Sequence, residues 1–328
     1  MANSTEGECC LAEKILVFGD VGIDDTIALI YSYLNDQIDI VGIVADYGNI
    51  SRENALANVH YVKNLLNVSE NIKIYAGAEV PTHGRKPTYF PEIHGEYGLG
   101  PITPPVVTNE SVNENFYEVV EIIEKYGDEL IIVNIGRLTS LATMFILYQN
   151  LMNKVKAYYL MGGAFWVPGN ATAVSEANFY ADPNAANIVL TYANNVTIIP
   201  LNVTEQAIVT PEMVNYIDER GQVELVKPLL DYYYDFYKKR NPSIQGSPMH
   251  DALTLMATIH EKMLIYRTLP VTIVESIDSE ARGQSIADIR PYENIKEKQG
   301  KQHRIAFQLD YRQFFNEFMT VMTKEVVG

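Results

Sequence analysis

Three carboxylates fall within the run Phe18-Gly19-Asp20-Val21-Gly22-Ile23-Asp24-Asp25, directly after the apolar segment Ile15-Leu16-Val17. Like charges this close repel, so an ordered chain needs a cation among them or carboxyl groups that keep their protons. An all-oxygen cluster at the end of a buried strand suits a hard divalent ion such as Ca²⁺ or Mg²⁺. The plainer alternative makes Asp24 and Asp25 first-turn acids, placed where the positive end of a helix dipole favours them.

Other chemically able groups follow later apolar runs. Asp46-Tyr47-Gly48-Asn49, Asn134-Ile135-Gly136 and Met161-Gly162-Gly163 each stand where a strand would end. Open parallel sheets bind ligands beyond the carboxyl ends of their strands, so these acids, amides and glycines converge on one rim. Gly169-Asn170 and Glu176-Ala177-Asn178 add two amides and an acid in a stretch whose glycines allow close backbone approach. Met249-His250-Asp251 sets an imidazole beside a carboxylate at a helix start; an ordinary polar histidine and a helix-capping aspartate are the alternatives. Tyr233 and Tyr237, four apart, share one helical face, with ordinary core or surface aromatics as the alternative.

The elements that must position these groups are legible as a pattern. Apolar runs at 14–19, 38–45, 72–76, 130–135, 157–161 and 196–201 alternate with helical stretches near 24–35, 52–66, 113–126, 138–150 and 183–194. Strands apolar on both faces and separated by helices indicate a parallel sheet covered on both sides. The expected fold is a doubly wound, mostly parallel α/β sheet with a Rossmann-like core and a helical C-terminal part. Past residue 205 helices are expected from Thr210, over 223–239, over 250–259 and over 312–323, with a late hairpin joining 270–275 to 283–287. No repeat or linker divides the chain, so one domain is expected over 13–328 after a flexible tail at 1–12. The proline- and glycine-bearing stretch from Thr82 to Thr108 is too long for an ordinary connection and reads as an active-site loop or lid.

Composition narrows the partners. A chain of 328 residues with 47% hydrophobic content can bury a large core. Its formal net charge of −16 argues against nucleic acid, whose affinity comes largely from Lys and Arg. A small neutral or metal-bridged substrate fits better. The only cysteines, Cys9 and Cys10, are adjacent and offer no disulfide framework. No apolar run approaches the roughly 20 residues that cross a bilayer, and the first residues lack the basic and apolar regions of a signal peptide. A cytoplasmic location with no membrane partner is expected, in which the Asn-x-Ser/Thr sequences at Asn67, Asn109, Asn170 and Asn202 are chance matches.

The run at 20–25 resembles the N-terminal aspartate motif D-x-D-P-G-x-D-D of the inosine-uridine preferring nucleoside hydrolases. The similarity continues through Tyr75-Ala76-Gly77-Ala78, Ile93-His94-Gly95-Glu96-Tyr97-Gly98-Leu99-Gly100, Gly136-Arg137-Leu138-Thr139-Ser140, Met161-Gly162-Gly163, Glu176-Ala177-Asn178 and Asp182-Pro183-Asn184-Ala185-Ala186. It ends with His250-Asp251 and Arg282-Gly283, in the family's order throughout. Phe18 stands where the family usually has its first Asp, Val21 where it has Pro, and Ala177 where its A-E-F-N block has Phe. Asn134-Ile135 likewise replaces the usual residues before Gly136.

The resemblance implies a calcium-dependent ribonucleoside hydrolase, whose oxocarbenium-like transition state requires a held sugar, an activated water and help for the departing base. It implies Ca²⁺ bound by Asp20, Asp25, the carbonyl of Ile135 and Asp251, with Asp20 also the general base. Asp24, Asn49, Asn170, Glu176 and Asn178 would contact the ribose and Met161 would line its site. His250 would protonate the leaving base, with His94, Tyr233 and Tyr237 beside it. Trp166 is expected in the core, with stacking on a purine as the alternative. Retention of His250 points to the inosine-uridine group over the purine-specific one, and the family's habit points to a homodimer or homotetramer. Two further readings stand beside this one. The first is a Mg²⁺-dependent phosphohydrolase, disfavoured because no basic phosphate cradle surrounds the acids; the second is a catalytically silent nucleoside-binding protein, suggested by the departures at Phe18, Val21 and Ala177.

Overall fold

The computed structural model describes residues 11–68, 72–105, 115–290 and 300–327. Cys9 and Cys10, nearly all of the expected tail, the sequence at Asn109 and the end of the lid stretch lie outside the described residues. Strands β1 (Glu13–Gly19), β2 (Ile38–Ala45), β3 (Lys73–Ala76), β4 (Leu130–Asn134), β5 (Ala157–Met161) and β6 (Val196–Ile199) form one parallel sheet in the order β3-β2-β1-β4-β5-β6. Two buried clusters, one holding Ile15 and Val17 and the other Leu16 and Phe18, lie on opposite faces of β1. Helices on both faces therefore shield the central strands, as the alternating pattern requires.

The sheet is longer than the pattern suggested. Gln302–Leu309 pairs parallel with β6, and Leu264–Pro270 pairs antiparallel with Gln302–Leu309 at the edge. Neither strand was expected in a region read as helical. Gln302–Leu309 carries Gln302, His303, Arg304 and Gln308 among its apolar residues, and Leu264–Pro270 exposes Ile265, Arg267 and Thr268. Polar residues on an edge strand discourage pairing with other chains, and they also erase the apolar run that marks a strand. The late hairpin is present, with Thr272–Ile273 antiparallel to Ser285–Ile286.

Strand order reverses direction across β1 and β4, and there the acidic run sits. Gly22 precedes helix α1 (Ile23–Leu34), and the Asp25 carboxylate accepts from the amides of Asp20 at 3.2 Å and Gly22 at 2.9 Å, which binds the turn to the helix it starts. Val21 in that turn has φ +23, a value closed to proline, so the departure from the family's proline goes with a different backbone. A β-branched residue there is strained, as residues near functional sites often are. Asp182 caps helix Pro183–Tyr192 through the Ala185 amide at 3.2 Å and accepts from Thr139 at 2.8 Å and from the amide and hydroxyl of Thr82, each at 2.7 Å. One carboxylate thus fastens the start of the lid stretch to two helices.

Asp46, after β2, accepts from the Ala78 amide at 2.7 Å and from the Ser140 hydroxyl. Burial pushes its carboxyl up to about 8, against the pull of those hydrogen bonds. A carboxyl raised on folding favours the folded state at low pH and loses that contribution as pH climbs from about 4 through about 8. Asp46→Asn, which resembles the protonated acid, should lose less stability than the parent chain between pH 6 and 8. The difference should approach about 1.4 kcal/mol per pH unit at its steepest; parallel urea-unfolding curves would contradict a proton on Asp46. For the inserted strand, Ile305→Ala removes a fully buried side chain and should cost about 2–5 kcal/mol in the same measurement.

Candidate active site

At the carboxyl ends of β1, β2, β4 and β5 a pocket opens whose lining includes Asp24, Asn49, His94, Ile135, Met161, Asn170, Glu176, Asn178, Tyr233, Tyr237, His250 and Asp251. Asp20 and Asp25 lie fully buried beneath it. Residues scattered over more than 200 positions of sequence therefore meet in one crevice, at the switch point where open α/β sheets bind ligands.

The acids are packed beyond what a charge-free interior tolerates. One carboxylate oxygen each from Asp24, Asp25 and Asp251 lies within 4.8 Å of the others. Burial raises the carboxyl pKa of all three and of Asp20, and for Asp25 and Asp251 the surrounding carboxylates push it further, well above the ordinary range. Asp20 Oδ1 and Asp24 Oδ1 are buried and meet no protein donor. An all-oxygen donor set with orphaned carboxylate atoms fits a hard divalent cation. The grouping differs in one respect from the expected ligand set: Asp24 stands with Asp25 and Asp251, while Asp20 Oδ2 is held by the Asn49 amide and by Arg137 Nη1 at 2.9 Å.

Arg137 was missed. Its guanidinium is buried beside the acids and also donates to Asn178 Oδ1 at 2.8 Å. The acids therefore do have a basic neighbour, contrary to the sequence-based expectation. Arg137 follows β4 by three positions, one step past the strand-end residues that the pattern singled out.

The amide and acid block after β5 is used twice. Glu176 caps helix Ala177–Ala181, accepting from the amides of Asn178 at 2.7 Å, Phe179 at 3.1 Å and Gly163 at 3.0 Å, while it also lines the pocket. Asn178 Nδ2 donates to the carbonyls of Ile135 at 3.0 Å and Met161 at 3.1 Å. Asn170 Oδ1 accepts from the Ala177 amide at 2.9 Å. Such contacts hold polar groups in fixed orientations.

The opposite wall is a chain of hydroxyls and imidazoles. Tyr233 donates to Asp24 at 3.3 Å and lies 3.3 Å from the Tyr237 hydroxyl, which is 3.4 Å from His250 Nε2. His250 Nδ1 lies 2.8 Å from the hydroxyl of Thr204, a partner on the single turn Leu201–Thr204 that nothing in the sequence marked. Both tyrosines belong to the pocket on helix Val226–Arg240. His94 comes from the lid stretch, on the turn Pro91–His94, and its Nδ1 accepts from the Ile23 amide at 3.1 Å. That bond leaves the imidazole proton on Nε2; burial pushes the pKa of His94 down to about 4 and lowers that of His250.

Trp166 departs from both readings of it. It is 66% exposed, at φ +62, outside the pocket lining, with its indole N–H donating to the Ala287 carbonyl at 3.0 Å. That bond satisfies the indole while leaving its ring in water. Among the described residues no helix is long and apolar enough to cross a membrane.

Comparison with known proteins agrees with this geometry. The family model described as inosine-uridine preferring nucleoside hydrolase matches residues 15–316. The chain is 27% identical over 310 residues to the inosine-uridine preferring nucleoside hydrolase of Crithidia fasciculata, covering 93% of this chain and 96% of that one. It is 27% identical over 258 residues to uridine nucleosidase 1 of Arabidopsis thaliana, covering 78% and 76%. A solved structure, the purine-preferring ribonucleoside hydrolase from Gardnerella vaginalis, superposes with a TM-score of 0.85 at 26% identity, covering 95% of this chain and 98% of that one. With the acidic crevice at the switch point and a match along nearly its whole length, the chain belongs to the inosine-uridine preferring nucleoside hydrolase family and is an N-ribosyl hydrolase.

Proposed function

We propose that the protein is a calcium-dependent hydrolase of inosine- and uridine-type ribonucleosides, releasing free base and ribose. The observation that carries this reading is the meeting of three mutually close buried carboxylates with the Asp24–Tyr233–Tyr237–His250 chain in one pocket. Asp25, Asp251, Asp20 and the Ile135 carbonyl would hold Ca²⁺, with Asp24 close enough to join them. When bound, the ion supplies positive charge that orients ribose hydroxyls and acidifies a water. Asp20, its carboxyl raised by burial, accepts the proton of the attacking water. Asp24, Asn49, Asn170, Glu176 and Asn178 contact the ribose, with Met161 in the same lining. His250 donates a proton to the departing base. Its lowered pKa makes the imidazolium a strong acid but keeps the charged fraction small at neutral pH, a balance that the negative charge of Asp24 shifts back toward the charged form.

An initial-rate panel of inosine, adenosine, guanosine, uridine and cytidine with calcium present tests the reading, and absence of turnover on every member would end it. Purified protein should carry one Ca²⁺ per chain by elemental analysis, and Asp25→Ala should lose it, since removing one ligand from so few costs several kcal/mol of binding. Equal calcium in parent and variant would place the ion elsewhere.

His250→Ala should keep its calcium and lose about 10²–10⁴ in kcat on inosine, the usual worth of general-acid assistance. On p-nitrophenyl riboside, whose leaving group departs without a proton, the loss should be much smaller. Equal losses on both substrates would show that the imidazole serves to position the site.

A further inference from the structure

A second cavity, of about 370 Å³, adjoins the nucleoside pocket and shares Phe90, Arg137, Ala171 and Ala177 with it. That is within the usual range of small-molecule sites, roughly 300–1,000 Å³. In a chain of net charge −16 its lining holds four cationic side chains, Arg85, Lys86, Arg137 and Arg282, together with His83, and no carboxylate. Arg85 and Lys86 are exposed on the lid stretch, whereas Arg282 is 8% exposed. The Arg282 guanidinium is held along one edge by backbone carbonyls, from Nε to Tyr180 at 3.2 Å and from Nη2 to Ala181 at 3.2 Å, with His83 Nε2 at 2.9 Å from Nη2. Its Nη1 meets no protein acceptor, nor does Nε of Arg137. Among the described residues none of Arg85, Lys86 and Arg282 has a carboxylate within ion-pair distance. A buried guanidinium without an acid partner, as that of Arg282 is, is costly. Gathered with Arg137, whose charge Asp20 already pairs, and with the exposed Arg85 and Lys86, it makes a chamber complementary to a compact dianion, with arginine suited to planar, bidentate recognition of phosphate oxygens.

With the ring hydroxyls at the metal and the base beside His250, as proposed above, the 5′ end is the part of the ribose left to face the wall that the two cavities share. Asn170 and Glu176 face the nucleoside pocket, and their chain neighbours Ala171 and Ala177 face both cavities. Position 177 is where the family usually carries phenylalanine; here the shared wall holds only a methyl group. We propose that this chamber receives the phosphate of a ribonucleoside 5′-monophosphate whose sugar and base occupy the neighbouring pocket, so that nucleotides are hydrolysed at the same N-ribosidic bond. The proposal rests on the nucleoside-hydrolase reading of that pocket. The C1′–N bond breaks, the oxygen of water forms the new C1′–O bond, its proton goes to the base, and the phosphoester stays intact, giving free base and ribose 5-phosphate.

The test compares inosine with inosine 5′-monophosphate, in the calcium-loaded parent chain and in an Arg85→Glu/Lys86→Glu variant, at about 0.15 M salt where long-range steering is screened. Both substituted residues are exposed and lie outside the nucleoside pocket. The expected result is release of hypoxanthine and ribose 5-phosphate from the nucleotide. The variant should lower kcat/KM on the nucleotide by about 10- to 100-fold, the worth of one or two charge-assisted contacts, and leave inosine unchanged. Ribose 5-phosphate should inhibit inosine hydrolysis more strongly than ribose does, and the variant should abolish the difference. Turnover of inosine without turnover of the nucleotide overturns the inference while the nucleoside reading stands; failure of both substrates overturns that reading. Should inorganic phosphate bind in an Arg85- and Lys86-dependent manner while the nucleotide is not hydrolysed, the chamber serves a free oxyanion and the 5′-phosphate assignment is wrong.

Discussion

Burial of four carboxyl groups in one crevice is the constraint to which the rest of the site answers. Asp20, Asp24, Asp25 and Asp251 come from the end of β1, the start of α1 and the start of helix His250–Met256, and none is more than 7% exposed. In a low-dielectric interior such a group holds together only with protons, a cation or both. The protein contributes one buried guanidinium, Arg137, beside Asp20, which offsets a single charge. The orphaned oxygens of Asp20 and Asp24 and the raised pKa values of all four acids express the remaining imbalance. A divalent cation would answer it, and in the proposed reading the same acids would serve as base and ribose contacts.

The sheet makes the crevice by bringing backbone unusually close. A Cβ at Gly48 would overlap the Asp20 carboxylate, so the turn after β2 can pass over that acid only as glycine. Val21 at φ +23 brings strain into the turn between the first two acids. Asp46 and Asp182 act behind the pocket rather than in it. They tie strand ends, lid stretch and helices together, which keeps the groups of the candidate site on rigid supports.

The parallel core was legible because its strands are buried on both faces and so read as unbroken apolar runs. The strands Leu264–Pro270 and Gln302–Leu309 were not, since charged and amide side chains at the sheet's end interrupt that signal. Legibility at the site followed spacing in the same way. Asp20 to Asp25 and His250-Asp251 announce themselves by density of charge within a few residues. Arg137 and Thr204 do not: an arginine after a strand and a threonine in one helical turn have many ordinary uses, and only the fold brings them to Asp20 and His250. Tyr233 and Tyr237 fell between the two, their shared helical face readable but its destination not. Trp166 shows the limit of residue preference, because one carbonyl, that of Ala287, satisfies its N–H at the surface and no burial is needed.

That last placement has a spectroscopic consequence. The sole indole of the chain sits in water and outside the pocket, with a fixed hydrogen bond to the segment after the late hairpin. Emission excited at the red edge of protein absorbance, where tyrosine no longer contributes, therefore has the long-wavelength maximum of a hydrated indole in the native state. Unfolding can shift that maximum little further, and the indole itself takes no part in lining the pocket. The fluorophore reports the hydrogen bond between the loop after β5 and the 280s segment, apart from the groups that line the pocket.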